Sequence, residues 1–317
     1  MSGESVTRQE PRGKELIKRY KEVYSISDDA NISEEMILRH WELERRLRTQ
    51  LLNSTAENRW KVFDRCYTEL YSELDWLNNL IGSSVAVPPS QLYSFWPIII
   101  GQPPKDIYEI GSGKGKLINF LASYGYKCKG TEITHERGRK HVSEHPNLSW
   151  GVSDGVHLDE FESDDTYDAL ISDQVVEHIH PDDLVEHFRC ARSILRTGGR
   201  YIFATPHKFI GPSDISQIFE CDNPMGMHLK EYSFKELRDL LRGAGFQNIA
   251  AMWKIPERIV RSLRTRSRPR YSRGYLSYLC IIEKLILLFP KRSYRRAAAF
   301  LFTLILFKPS IFIIAQK

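Results

Sequence analysis

Apolar residues recur at spacings of three and four through the first third of the chain, and after residue 100 short apolar runs alternate with amphipathic stretches. From about Ser33, Ile37, Trp41, Leu47 and Leu51 stand among Glu and Arg. Trp60, Phe63, Tyr67, Leu70, Leu74 and Leu77 then repeat the stripe behind Ser54-Thr-Ala-Glu57, which has the form of a capping box. Each stripe predicts a helix with one buried face; Tyr67 and Tyr71 are also candidates for lining a pocket. Pro88-Pro89 interrupts the pattern before a further short helix over 91–100.

Beyond Asp106 the period changes. Strands are predicted at 107–110, 127–131, 148–152, 167–172, 201–204, 247–252 and 310–315. Helices are predicted through Leu117, Phe120 and Leu121, near 137–141, over 182–195 up to Gly198-Gly199, and from a second capping box, Ser233-Phe-Lys-Glu236, to about Arg242. This alternation predicts an α/β fold: a doubly wound, mostly parallel, seven-stranded sheet covered on both faces, with ligands at the carboxyl ends of the strands. The expected division is a flexible segment 1–30, a helical cap 31–100, a core 101–253, a basic and apolar helical insertion 254–308, and a closing strand 309–317.

Composition changes the picture in one place. The net charge of +5 conceals a local +12 between Lys254 and Lys308, where 14 Lys/Arg face 2 Asp/Glu; the rest of the chain sums to −7. Within that segment the apolar runs Tyr275–Phe289 and Ala297–Phe307 fall short of the ~20 residues that cross a bilayer. The segment is open to three readings: an amphipathic element lying on an anionic membrane, a less favoured grip on nucleic-acid phosphates, or a solvated basic face on helices packed against the N-terminal pair. Five scattered cysteines without a Cys-x-x-Cys suggest neither a disulfide framework nor a zinc site. The polar N-terminus shows no signal peptide, and the expected location is the cytoplasm, with a peripheral membrane contact as an option.

Candidate chemistry starts at Asp106–Leu117, which reads as strand, glycine turn, helix. Gly111, Gly113 and Gly115 allow a sharp turn lying close to a ligand, and the amides opening the next helix offer donors. A dinucleotide fingerprint needs its third glycine three places after the second; Gly115 follows Gly113 by two, which counts against NAD. At the end of the second strand, Glu132 can accept from both hydroxyls of a ribose, or serve as a helix N-terminal carboxylate ahead of Thr134.

The pattern Glu109-x-Gly111-x-Gly113-x-Gly115 resembles motif I of the class I S-adenosylmethionine (SAM)-dependent methyltransferases, and the later segments are similar to the small-molecule O-methyltransferase group. The resemblance implies SAM as cofactor, bound by Glu109, Gly111, Ser112, Gly113, Gly115, Glu132 and Ile133, by Asp154, Gly155 and Val156 around the adenine, and by Asp173 and Gln174 toward the methionine part. It puts Glu177 and His178 near the transfer side. A histidine of ordinary pKa, ~6.5, can take a proton from an acceptor hydroxyl, which makes His228, His178 and His207 base candidates in that order; His180 and His187 are set aside. The expected reaction is O-methylation of a sugar, glycan, glycolipid or other small metabolite. Gln174-x-x-Glu177-His178 with His228 is also similar to the metal-binding pattern of small-RNA 3′-terminal 2′-O-methyltransferases. There Gln174 replaces a carboxylate that a hard cation favours, so no metal is expected. A metal-dependent RNA enzyme and a catalytically silent binding module are the alternatives.

Overall fold

The computed structural model describes residues 11–81, 88–134, 145–253, 270–305 and 310–317. The helix expected near 137–141 and the arginine-rich run 258–268 lie outside them.

The N-terminal region is helical: α1 (Gly13–Tyr24), α2 (Glu34–Leu52), α3 (Arg59–Glu73) and α4 (Asp75–Ile81). Their stripes bury Leu16, Tyr20, Ile37, Leu47, Leu51 and Phe63 in one core, which Ile215, Ile218, Met227 and Leu229 complete from far along the chain. Two expectations are corrected here. The segment expected to be flexible through residue 30 contains α1, held by a hydrogen bond between the Tyr20 hydroxyl and His40 Nδ1 at 2.8 Å. Ser54 does not cap α3: its hydroxyl donates to the Leu51 carbonyl at 2.5 Å, and the helix starts after Asn58, whose side chain accepts from the Thr55 amide at 2.9 Å.

Two short helices, α5 (Pro89–Tyr93) and α6 (Trp96–Ile100), stand where one was expected and lead into the sheet. Its strands are β1 (Asp106–Ile110), β2 (Lys127–Glu132), β3 (Leu148–Val152), β4 (Tyr167–Asp173), β5 (Leu195–Pro206), β6 (Gln247–Trp253), β7 (Arg270–Ser272) and β8 (Ser310–Gln316). They lie in the order β3-β2-β1-β4-β5-β8-β6-β7. The first five are parallel; β8 is antiparallel to β5 and β6, and β7 to β6. The sheet therefore has eight strands rather than seven. The extra one, three exposed residues at an edge, has no buried side to produce an apolar pattern.

Helices cover both faces. Tyr201, Phe203, Ile311 and Ile313 point to one core, with α9 (Leu184–Ile194), α10 (Phe234–Gly243) and α11 (Arg273–Leu287) packed on it. Ile202, Ala204, Phe312 and Ile314, one residue out of phase, point to the other, under α6 and α7 (Lys116–Ser123). The Ser233 capping box forms with both of its hydrogen bonds and starts α10. A one-turn helix, α8 (Leu158–Phe161), follows β3, and α12 (Arg292–Ile305) packs against α11 before the chain closes through β8.

Candidate active site

At the carboxyl edge of the sheet β1 runs into the glycine turn. Gly111, Gly113 and Gly115 have φ of 65°, 56° and 65°, the left-handed region that favours glycine. A Cβ on Gly111 would stand 2.7 Å from a Val175 methyl. The Ser112 amide donates to the Thr131 carbonyl at 2.8 Å and the Gly113 amide to Glu132 Oε1 at 2.5 Å, so the end of β2 holds the turn. Glu132 is buried and faces the turn; its other oxygen accepts from the Ile133 amide at 3.3 Å.

A cavity of about 750 Å³ opens beside it. Gly111, Gly113, Glu132 and Ile133 line one part; Asp154, Gly155 and Val156, after β3, line a second; Asp173 and Gln174, after β4, line a third. Tyr67 and Tyr71 of α3 and His178 also stand on the wall. Glu109, Ser112 and Gly115 do not reach it. Ser112 instead donates its hydroxyl to the Thr131 carbonyl at 3.3 Å. In Glu109, burial and the charges of Asp173 and Glu132 push the carboxyl well above the usual range, and Oε2 meets no hydrogen-bond partner among the described residues.

Two loops are fixed from within. Asp154 Oδ1 accepts from the Val156 and His157 amides at 2.8 and 2.9 Å, and Oδ2 meets His157 Nδ1 at 2.6 Å, so this carboxylate closes its own turn. Buried His187, its pKa lowered to about 4 by desolvation, pairs with the Gly155 carbonyl at 2.5 Å through Nδ1 and with the Tyr201 hydroxyl at 2.9 Å through Nε2. Gln174, at φ 59°, donates its backbone amide to the Ala204 carbonyl at 2.9 Å, and its side-chain amide donates to Asp173 Oδ1 at 3.4 Å.

The titratable cluster lies after β4. His178 Nδ1 donates to the Met227 carbonyl at 2.9 Å, which puts the lone pair of the neutral ring on Nε2, and the ring lies edge-on to His228 with centroids 4.9 Å apart. Glu177 is wholly buried. Its Oε2 accepts from the Thr205 hydroxyl at 2.8 Å, and Oε1 meets no hydrogen-bond partner among the described residues. Burial raises the Glu177 carboxyl to about 7 against the opposing pull of the His228 charge. In His228, burial alone would lower the pKa, but the hydrogen bond to Glu231 at 2.9 Å and the charges of Glu177 and Asp214 raise it to about 9.

His228 is therefore a cation at neutral pH and loses first place among the bases; it also stands behind the wall rather than on it. His207 is removed altogether. It is fully buried, with Nε2 on Glu283 at 2.7 Å and Nδ1 accepting from the Phe209 amide at 3.1 Å. Sequence reasoning missed Glu44, Arg59, Trp60, Phe63 and Met227 on the wall, and set aside His180, which is also there. Glu44 is held by His40 at 2.7 Å and accepts from the Met227 amide at 3.0 Å. The i,i+4 spacing of His40 and Glu44 was the available signal.

The residues fit an adenosyl group carrying an amino-acid tail. Buried Glu132 faces a glycine turn, as suits a diol, and the same cavity offers apolar Ile133 and Val156 to a flat ring and polar Asp173 and Gln174 to a charged tail.

A family model described as a methyltransferase domain matches residues 91–251, just over half of the chain. Among curated proteins none matches the chain significantly. Among solved structures, the chain is similar to a Thermotoga maritima SAM-dependent methyltransferase described as a possible histamine N-methyltransferase (16% identity, 81% of this chain and 99% of that one, TM-score 0.45). It is also similar to a SAM-dependent methyltransferase from Archaeoglobus fulgidus (19% identity, 72% and 92%, TM-score 0.46). A third is Haemonchus contortus phospholethanolamine N-methyltransferase 2 (15% identity, 86% and 60%, TM-score 0.46).

Proposed function

The chain belongs to the methyltransferase-domain family and takes SAM as its cofactor, and from that premise we propose that it methylates a hydroxyl of a sugar, a glycan, a glycolipid or another small metabolite. In this reading Glu132 and Gly113 hold the ribose, Ile133 and Val156 flank the adenine, and Asp173 and Gln174 receive the methionine part. When bound, SAM supplies a methyl group made electrophilic by its sulfonium. The protein's own task is to orient the acceptor and to remove its proton.

One observation carries the hydroxyl assignment: His178 stands on the cavity wall with Nδ1 committed to the Met227 carbonyl, and the wholly buried carboxyl of Glu177 lies within 4.8 Å behind it. A hydroxyl must shed its proton as it attacks. His178 Nε2 takes that proton at the wall, since Nδ1 is committed as a donor to Met227. The resulting imidazolium is stabilised by Glu177 in its carboxylate form, and the His228 cation, itself held by Glu231, favours that form against the burial that opposes it. The test is transfer of labelled methyl from SAM into separated sugar, lipid, RNA and protein fractions. Label in an alkali-stable methyl ether supports the reading; label recovered as a methylamine or methyl ester refutes it.

A second reading, metal-assisted transfer to an RNA 2′-hydroxyl, is favoured by one feature. Ligand atoms of Glu177, His178 and His228 lie within 4.8 Å of one another, and one carboxylate with two imidazoles suits a divalent cation that displaces the proton His228 otherwise carries. Under it, transfer would go to the RNA fraction, stop after dialysis against a chelator and return with manganese or magnesium.

A further inference from the structure

Away from the cavity, the hairpin of α11 and α12 has an arrangement that neither packing nor the transfer reaction accounts for. The inner face of α11 is used: Leu276, Leu279, Cys280, Ile282 and Ile286 are buried. Its one acid, Glu283, is also occupied, accepting from the Phe234 and Lys235 amides at 2.6 and 2.9 Å and from His207. The outer face is the anomaly. Tyr278, Ile281, Leu285 and Leu288 follow one another at helical spacing, all exposed, Ile281 by 56% and Leu288 by 77%. On α12, Leu301 is 61% exposed. The outer face of α10, by contrast, carries Lys235, Arg238, Asp239 and Arg242, the ordinary condition of a solvated helix.

Cations accompany this apolar stripe. Between Arg270 and Ile305 there are seven Lys/Arg, and the only acid is Glu283, which is buried. Four of the seven, Lys291, Arg292, Arg295 and Arg296, gather where α11 turns into α12, beside Leu288. A second copy of the chain would present the same cations and be repelled. RNA would engage the cations and leave the stripe in water. A bilayer surface with anionic headgroups complements both at once. Spanning it is not available: α11 has 15 residues and α12 has 14, below the ~20 needed, and among the described residues no helix is long and apolar enough to cross a membrane.

We propose that the α11–α12 hairpin lies on an anionic membrane surface, with Ile281, Leu285, Leu288 and Leu301 entering the headgroup–acyl boundary and Lys291, Arg295 and Arg296 meeting lipid phosphates. This docking stands independently of which acceptor the cavity takes. The experiment is co-sedimentation of the full chain with vesicles of phosphatidylcholine alone or mixed with phosphatidylglycerol, across a salt series. Binding to the mixed vesicles is expected, with a component that survives high salt.

Ile281→Glu with Leu288→Glu, at positions already facing water, should lower partitioning about tenfold or more. Lys291→Gln with Arg296→Gln should lower it about fivefold per charge, and only on the anionic vesicles. SAM affinity should be unchanged in both, which separates loss of docking from loss of the fold or of the cofactor site. The second pair decides the question if the first fails to fold. The proposal is overturned by wild-type protein that pellets with neither vesicle, by variants that bind as the wild type does, by RNA binding that falls steeply with salt in place of lipid binding, or by a dimer that the apolar pair dissociates.

Discussion

Replacing Glu132 with Gln removes the charge at the end of β2 with almost no change of shape, and its consequences follow from two distances. Oε1 accepts from the Gly113 amide at 2.5 Å and Oε2 from the Ile133 amide at 3.3 Å, at the part of the cavity where the proposed reading puts the ribose. An amide can keep one of these acceptors, the one toward Gly113; its NH₂ then meets ribose hydroxyls as a donor in place of an acceptor. A hydrogen bond to a charged group contributes about 1.5–3 kcal/mol. Losing one or two of them weakens cofactor binding by roughly 2–4 kcal/mol, or about 30- to 1000-fold. Titration calorimetry with S-adenosylhomocysteine needs no knowledge of the acceptor and reads this directly. Stability should fall by only about 1 kcal/mol, because the Gly113 amide keeps its partner. Affinity within about threefold of the wild type, on a protein of unchanged fold, would show that the carboxylate does not meet the ribose and would refute the reasoning.

Two further substitutions probe the frame of the site. Gly111→Ala places a Cβ 2.7 Å from Val175 in a left-handed backbone, and should cost about 2–5 kcal/mol in urea unfolding; a loss under about 1 kcal/mol would mean the turn has room it does not show. Glu283→Ala strips the partner from two amides opening α10 and from buried His207, and should cost about 3–5 kcal/mol, read from the same denaturant midpoints. If stability is unchanged, His207 is not held as described and returns as a base candidate.

Reading the sheet from the sequence worked where burial on both faces turned strands into apolar runs, as at Ile107–Ile110 and Tyr201–Ala204. The capping box at Ser233 is equally local: its two bonds span three residues and need nothing from elsewhere. Ser54 carries the same signature and fails, because Arg59 draws on its hydroxyl at 3.3 Å and on its carbonyl at 2.9 Å while pairing with Asp183, far along the chain. The histidines divide in the same way. His207 is decided by Glu283, 76 residues on, and the Met227 edge of the cavity by Glu44, 183 residues back; no local pattern carries either contact. His228 was misjudged on information that was present. Glu231 stands three residues later, close enough to hold its proton, and with Glu177 and Asp214 it turns an expected base into a cation.

The pH dependence of methyl transfer tests the proton-accepting cluster most directly, measured as initial rate of labelled methyl incorporation in wild type and in Glu177→Gln. Because the Glu177 pKa is raised to about 7, its carboxylate forms as pH climbs through that value. Because the His228 pKa is raised to about 9, its cation persists until pH passes that value. The account predicts a wild-type rate that rises through about 7 and falls through about 9, and a variant slower by about 10²–10⁴-fold whose lower limb is displaced from that of the wild type. A wild-type rate flat from pH 6 to 8, or a variant matching it in size and shape, would contradict the claim that this cluster carries the acceptor's proton.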